Sequence, residues 1–155
     1  METKNETKQF ELAEIQISYK PKVKPSQRPK ITGSKDTYEI LKTCWDKNEI
    51  DLVEHFQILL LNRAHKVIGF KTISKGGTAG TIADPKLIFA VALKGAASAI
   101  ILAHNHPSGN LTPSQEDFAL TRKLKEAGKV LDLPILDHII ISSEGYYSLA
   151  DEGLL

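Results

Sequence analysis

The chain has 155 residues, a length that one domain with a buried core can account for. It is 41% hydrophobic and 25% charged, with 10 Gly and 7 Pro, and this composition excludes disordered, collagen-like and low-complexity proteins. Its 20 basic and 19 acidic residues give a formal charge of +1, so no strong overall field attracts nucleic acid or an anionic membrane.

The cysteine content and the hydropathy pattern exclude further classes of protein. Cys44 is the single cysteine, so it cannot form an internal disulfide, which excludes the secreted disulfide-rich scaffolds. No apolar run approaches the roughly 18 residues of a membrane span. The first residues, METKNETKQFELAE, lack the apolar segment of a signal peptide. We therefore expect a cytoplasmic domain without membrane contact.

Residues 1–35 differ from the rest and are predicted to form an N-terminal arm. Ile15, Ile17 and Tyr19 recur at period two, which predicts a short strand. Three prolines alternate with basic residues between Lys20 and Lys30, which predicts an extended, polyproline-like chain. A solvated linker along the domain is favoured over an arm that binds nucleic acid.

Residues 36–155 are predicted to form one α/β domain, beginning with a helix capped by Ser34 or Asp36. Apolar runs then predict a hairpin of two strands joined by a polar turn and followed by a glycine-rich loop. These segments are Glu54–Leu61, Val67–Ile73 and the loop Ser74–Thr81.

The second half predicts two more helices and three strands. Asp84 and Pro85 start a helix as cap and first residue. A capping box of Thr112 and Gln115 is predicted to start another, with Gly128 as its natural end. The predicted strands are Ser98–Ala103, Leu136–Ser142 and Tyr146–Leu149. The expected fold is α+β: a single mixed sheet sandwiched by helices.

A cluster of polar residues follows the apolar run that ends at Ala103. His104 and His106 stand two apart, so in an extended chain both imidazoles face the same side. Ser114 and Asp117 follow in the first turn of the next predicted helix. Two imidazoles and one carboxylate form a three-ligand set that leaves a fourth zinc position open to water, the arrangement of catalytic zinc sites.

Taken singly, these residues have ordinary interpretations. Asp117 alone is typical of a helix start, Ser114 alone of an N-cap, and a glutamate such as Glu54 of a solvent-facing strand position. His138 is open between a partner of a metal ligand and a hydrogen-bonded histidine of the sheet.

The string HNHPSGNLTPSQED, from His104 to Asp117, gives the cluster its specificity. It matches the H-x-H-x7-S-x2-D signature of the JAMM metalloproteases and resembles the RadC-like JAB/MPN branch of that family. The segments EHFQILLLN and LDHIIIS resemble the same branch in order and spacing. The resemblance covers roughly residues 36–150.

This resemblance implies a cytidine-deaminase-like MPN architecture and one Zn²⁺ per chain. It implies that the metal ligands are His104, His106 and Asp117. It further implies that Ser114 stabilises an oxyanion and that Glu54 shuttles the proton of the attacking water. The implied activity is hydrolysis of a peptide or isopeptide bond in a peptide or protein substrate.

Two other functions remain open. RadC-like proteins commonly carry an N-terminal helix-hairpin-helix region, and nothing in this sequence resembles one. The RadC resemblance and the basic arm from Lys20 to Lys30 support a DNA-repair or mobile-element accessory protein that binds DNA or a protein partner. A third possibility is a metal site that serves structure or partner binding without catalysis.

Overall fold

The computed structural model describes residues 11–76 and 82–155. These residues form three helices, one 3₁₀ turn and five strands. The helices are α1 (Ser34–Cys44), α2 (Pro85–Lys94) and α3 (Gln115–Val130), and the 3₁₀ turn is Pro25–Gln27. The strands are β1 (His55–Leu61), β2 (Val67–Lys75), β3 (Ala99–Asn105), β4 (Ile135–Ile141) and β5 (Tyr146–Ser148). Within the described ranges, no helix combines the length and the apolar character needed to cross a membrane.

The strands form one mixed sheet in the order β2-β1-β3-β4-β5. Strands β3 and β4 are parallel, and the other neighbouring pairs are antiparallel. Helix α3 connects β3 to β4, because parallel neighbours need a crossover rather than a hairpin. Every residue of β1 and β3 is buried, as expected of central strands that are covered on both faces.

Helices cover both faces of this sheet, which confirms the predicted fold class. Leu41 and Trp45, from α1 and its C-terminal cap, pack on one face with Leu59. Ile88 of α2 and Leu124 of α3 pack on the other. Alternation along the strands divides their side chains between the two cores. The α3 face is the one that matters for the site, because the even-numbered residues of β3 point toward it and His138 of β4 contacts Thr121 of α3.

The N-terminal arm differs from its predicted structure. The strand predicted at Ile15 and Ile17 is wrong: both side chains are exposed, and the segment has no regular structure. Period-two alternation forms a strand only where a partner supplies the ladder hydrogen bonds, and no described strand pairs with this segment. Lys24 and Arg28, on either side of the 3₁₀ turn, have extended backbone conformations. Lys30 makes an isolated bridge to Lys66 beside β2.

Several element ends also differ from the sequence-based predictions. Gly33 caps α1, whereas Asp36 accepts a hydrogen bond from the Thr32 N–H at 2.8 Å. Strand β2 continues through Lys75, so the predicted glycine-rich loop begins later, and its residues 77–81 lie outside the described ones.

Gly128 is not the end of α3, which continues to Val130. A Cβ at Gly128 would lie 2.3 Å from the Leu133 carbonyl oxygen. The glycine is therefore needed because the chain returns closely past this turn toward β4.

Candidate metal centre

The two histidines stand at the end of β3, on the face covered by α3. His104 is the sixth residue of the strand, and His106 follows its last residue. The His106 N–H still donates to the Ile141 carbonyl oxygen at 3.0 Å, so the extended chain is held beside β4 beyond the formal strand end. The two Nε2 atoms lie 3.0 Å apart. The predicted orientation of both rings toward one point is confirmed.

The carboxylate comes from the first turn of α3. Ser114 is the N-cap, and its hydroxyl oxygen accepts from the Asp117 N–H at 3.1 Å while Asp117 Oδ2 accepts from the Ser114 N–H at 2.7 Å. The predicted box of Thr112 and Gln115 is therefore wrong by two positions. The Thr112 N–H donates instead to Asn110 Oδ1 at 3.0 Å. The capping box fixes Asp117 in the direction of the histidines.

These three side chains converge on one point. Asp117 Oδ1 lies 3.3 Å from His104 Nε2, and Asp117 Oδ2 lies 3.9 Å from His106 Nε2. The ligand atoms of the three residues are all within 4.8 Å of one another. The side chain of His104 is 1% exposed, whereas those of His106 and Asp117 are 18% and 15% exposed. The cluster is therefore closed on the β3 side and open to solvent on the other.

A tight turn orients His106. The Gly109 N–H donates to the His106 carbonyl oxygen at 3.0 Å, and Gly109 has a φ of 79°, a conformation that suits glycine. The turn brings the Asn110 carbonyl oxygen against His106 Nδ1 in a short hydrogen bond. A carbonyl oxygen only accepts, so Nδ1 carries the proton. In the neutral ring, Nε2 is left with a free electron pair.

His104 is supported from behind by a second buried histidine. Its Nδ1 lies 2.8 Å from Nε2 of His138, on the neighbouring strand β4. His138 is completely buried, and burial lowers its pKa well below the ordinary value, so its ring is neutral. Its other nitrogen, Nδ1, lies 2.6 Å from the hydroxyl oxygen of Thr121 on α3. The sequence leaves the role of His138 open, and its contact with the candidate ligand His104 is one of the two alternatives. Nothing in the sequence indicates that Thr121 supports the site.

Asp117 is a carboxylate at neutral pH. Burial alone would raise its pKa, but the hydrogen bonds that its carboxylate accepts, among them the one from the Ser114 N–H, outweigh that effect and hold the pKa well below its usual range. The cluster therefore offers one anionic oxygen and two imidazole nitrogens.

Glu54 lies immediately before β1, at the edge of an open cavity of about 420 Å³. His106 lines the same cavity, together with Leu52, Asn110 and Thr112. The structure thus brings the predicted glutamate to the same open cavity as His106, one of the three residues of the cluster. The strand predicted from Glu54 begins one residue later, at His55.

Asn105, between the two histidines, points to the opposite face and is completely buried. Its Oδ1 accepts from the His55 N–H at 2.6 Å. Its Nδ2 donates to the carbonyl oxygens of Ile50 and Val53 at 2.7 and 2.9 Å. The side chain therefore holds the backbone on both sides of Glu54, a role that the sequence did not indicate.

The donor set of the cluster suits a divalent metal. Two imidazole nitrogens and one carboxylate oxygen converge from rigid elements, and their mutual repulsion is relieved when they share a cation. Three protein ligands with one solvent-facing side are typical of catalytic rather than structural zinc sites. His104, His106 and Asp117 could therefore hold a metal ion.

Comparison with known proteins agrees with this geometry. Residues 31–154 match the family model described as the RadC-like JAB domain. A UPF0758 protein of Flavobacterium johnsoniae is 48% identical over 125 residues, which are 81% of this chain and 53% of the relative. UPF0758 proteins of Staphylococcus haemolyticus and Symbiobacterium thermophilum are 41% and 35% identical, over 83% and 93% of this chain and 55% and 60% of their own lengths. The chain thus spans about half the length of the curated relatives it matches, and it belongs to the RadC-like JAB domain family.

Proposed function

We propose that this chain is a zinc-dependent hydrolase of the JAMM type that cleaves a peptide or isopeptide bond. The observation that carries the proposal is the convergence of His104, His106 and Asp117 at the edge of a solvent-open cavity that Glu54 also lines. A metal ion held by these ligands would supply a Lewis acid that polarises a carbonyl oxygen and makes water more acidic. Two imidazoles and one carboxylate favour zinc among the available divalent ions.

Glu54 is the proposed general base and acid. Its position on the cavity wall lets it take a proton from a water molecule that attacks the carbonyl carbon. The same carboxyl group then delivers that proton to the departing amine. Its backbone is fixed by Asn105 on one side and by the Gly76 N–H, which donates to the Glu54 carbonyl oxygen at 2.8 Å. A base held in this way enters the reaction without having to be ordered first.

Ser114 is the proposed hydrogen-bond donor to the oxygen on which negative charge develops. Its Oγ accepts from the Asp117 N–H as a helix cap, and this contact uses only the acceptor side of the hydroxyl. The hydroxyl proton remains available for donation. One residue can thus start the helix and stabilise the oxyanion.

The test uses zinc-loaded protein and two probes: a fluorescence-quenched peptide library and a peptide joined through a lysine ε-amine. The wild type should cleave at least one probe. Glu54→Gln should lose turnover and keep its zinc, whereas Glu116→Gln, an exposed glutamate in the first turn of α3, should behave like the wild type. Cleavage by Glu54→Gln at the wild-type rate would show that Glu54 is not the base. No cleavage by the loaded wild type would favour a non-catalytic metal centre.

The arm supports a second candidate function, binding to DNA. The side chains of Lys20, Lys22, Lys24 and Lys30 are all exposed, and the prolines among them hold the basic groups apart. A duplex titrated with the protein at increasing salt tests this function, because phosphate contacts weaken steeply with salt. Absence of binding at low salt would exclude it.

A further inference from the structure

The side chains behind His104 form a continuous hydrogen-bonded chain that ends on the backbone of α3. The hydrogen bonds run from His104 to His138 and from His138 to Thr121. Thr121 is one turn beyond Asp117, and its hydroxyl donates to the Asp117 carbonyl oxygen at 2.6 Å. His138 is 0% exposed and Thr121 is 3% exposed, so water does not compete for these groups.

The carbonyl at the end of this chain fixes the direction of every hydrogen bond in it. A carbonyl oxygen can only accept, so the single hydroxyl proton of Thr121 goes to Asp117. The Thr121 oxygen must then accept from His138 Nδ1, which places the proton of that ring on Nδ1. His138 Nε2 is left as an acceptor, and the proton of His104 therefore lies on Nδ1, facing it.

We propose that His138 and Thr121 are positioning residues that hold His104 in the tautomer with its Nε2 electron pair directed at His106 and Asp117. This inference rests on the metal-binding part of the proposed function and is independent of hydrolysis. Different contacts hold the two candidate histidine ligands in the same tautomer, with the proton on Nδ1. His106 donates directly to the Asn110 carbonyl, whereas His104 reaches the Asp117 carbonyl through two side chains.

This series of hydrogen bonds also joins three secondary-structure elements, which must all be correctly placed for the site to form. His104 belongs to β3, His138 to β4 and Thr121 to α3. Phe56 of β1 packs beside both histidine rings, with its centroid 6.2 Å from that of His104 and 5.7 Å from that of His138. Neither ring can turn without breaking a buried hydrogen bond. Partners behind a metal-bound histidine commonly set ligand orientation in this way.

The alternative is that His138 and Thr121 are only part of the hydrophobic core. Thr37 of α1 gives a matched control, because it is 1% exposed and its hydroxyl donates to the carbonyl oxygen four residues earlier, that of Gly33, at 3.2 Å. Thr121→Val and Thr37→Val therefore remove the same group from the same local geometry. Thr121→Ser keeps the hydroxyl and is the rescue variant.

Two measurements test the proposal. Long-range ¹H–¹⁵N spectra of the imidazoles in the metal-free protein at neutral pH should show His104 and His138 with protonated Nδ1. Competition with a chelator should show that Thr121→Val weakens Zn²⁺ binding by about 10- to 100-fold. Thr121→Ser and Thr37→Val should bind Zn²⁺ like the wild type.

The opposite results would overturn it. Either a proton on His104 Nε2 in place of Nδ1 in the metal-free protein at neutral pH, or wild-type Zn²⁺ affinity in Thr121→Val, contradicts the positioning role. Equal loss of affinity in Thr37→Val would assign the effect to general destabilisation. Failure of the wild type to cleave any probe leaves these two readouts untouched, so the inference and the hydrolase proposal fail separately.

Discussion

The side chain of Asn105 hydrogen bonds to both of the peptide groups that flank Glu54. It accepts from the His55 N–H at 2.6 Å and donates to the Val53 carbonyl oxygen at 2.9 Å. Because Asn105 stands between His104 and His106, the strand that presents two of the candidate ligands also fixes the backbone of the candidate base. One buried amide group thus ties the backbone of the candidate base to the strand that carries the candidate ligands.

Replacing this amide should separate metal binding from turnover. Asn105→Asp keeps an oxygen for the His55 N–H but turns two donated hydrogen bonds into contacts between oxygens, so the segment before Glu54 should shift. We expect kcat to fall by about 10- to 100-fold, while zinc content stays at the wild-type level.

Asn62→Asp is the matched control for this substitution. Asn62 Oδ1 only accepts, from the N–H groups of Ala64 and Lys66, both at 3.0 Å, so the aspartate keeps these bonds. Unchanged kcat in Asn105→Asp would contradict the positioning of Glu54 by Asn105.

Ser114 should contribute separately to stability and to turnover. Ser114→Ala removes the cap of α3, which should lower the free energy of unfolding by about 1 kcal/mol. Removing the proposed oxyanion donor should also lower kcat by roughly 100-fold or more. Asp84→Ala, which removes the cap of α2, should cost similar stability with no loss of kcat. If the two variants lose turnover equally, Ser114 acts only as a cap.

The turn at Gly109 should matter for the metal through His106. Gly109→Ala places a side chain at a φ of 79°, which should cost about 1 kcal/mol of stability. The strain should displace the Asn110 carbonyl from His106 and weaken zinc binding. Gly153, with a φ of 67° and open space around its Cβ position like that of Gly109, provides the control. Chelator competition that gives equal zinc affinities for the two alanine variants would show that the turn does not orient His106.

Acid should destabilise the fold partly through His55. Burial lowers the pKa of His55 below the ordinary 6.5, so the unfolded chain takes up this proton at a higher pH than the folded one. The stability linked to His55 is complete above about pH 6.5 and is lost as the pH falls below it, by at most about 1.4 kcal/mol per pH unit.

Urea unfolding of the metal-free protein between pH 7.5 and 5.5 measures this effect. The free energy of unfolding should decline less steeply with acid in His55→Gln than in the wild type. Equal slopes would show that His55 does not take up its proton on unfolding in this range.

The cluster of candidate ligands could be predicted because its residues lie in one short segment whose spacing matches a known family signature. His104 and His106 share a face by strand alternation, and Asp117 lies in the first turn of the next helix. The exact cap could not be predicted in the same way. Thr112 and Gln115 match the residues usual in a capping box. In the structure, however, Ser114 and Asp117 form the reciprocal hydrogen bonds of the box.

The supporting contacts could not be predicted, because they depend on strand register. His104 meets His138 only because β3 and β4 pair in parallel with His104 opposite Ile140. Asn105 reaches His55 across 50 residues of sequence. The strand predicted in the N-terminal arm was wrong because alternation is a local pattern, whereas a strand also needs a partner, and no described strand pairs with this segment.

The central claim is that His104, His106 and Asp117 form one metal site, and metal content tests it most directly. After reconstitution with Zn²⁺ and removal of the excess, elemental analysis should find about one zinc per wild-type chain. Asp117→Asn keeps an oxygen that can accept the Ser114 N–H but loses the charge, so it should hold far less. Asp84→Asn, at the cap of α2, should hold as much as the wild type. Equal zinc in Asp117→Asn and the wild type, or none in the wild type, would contradict the claim.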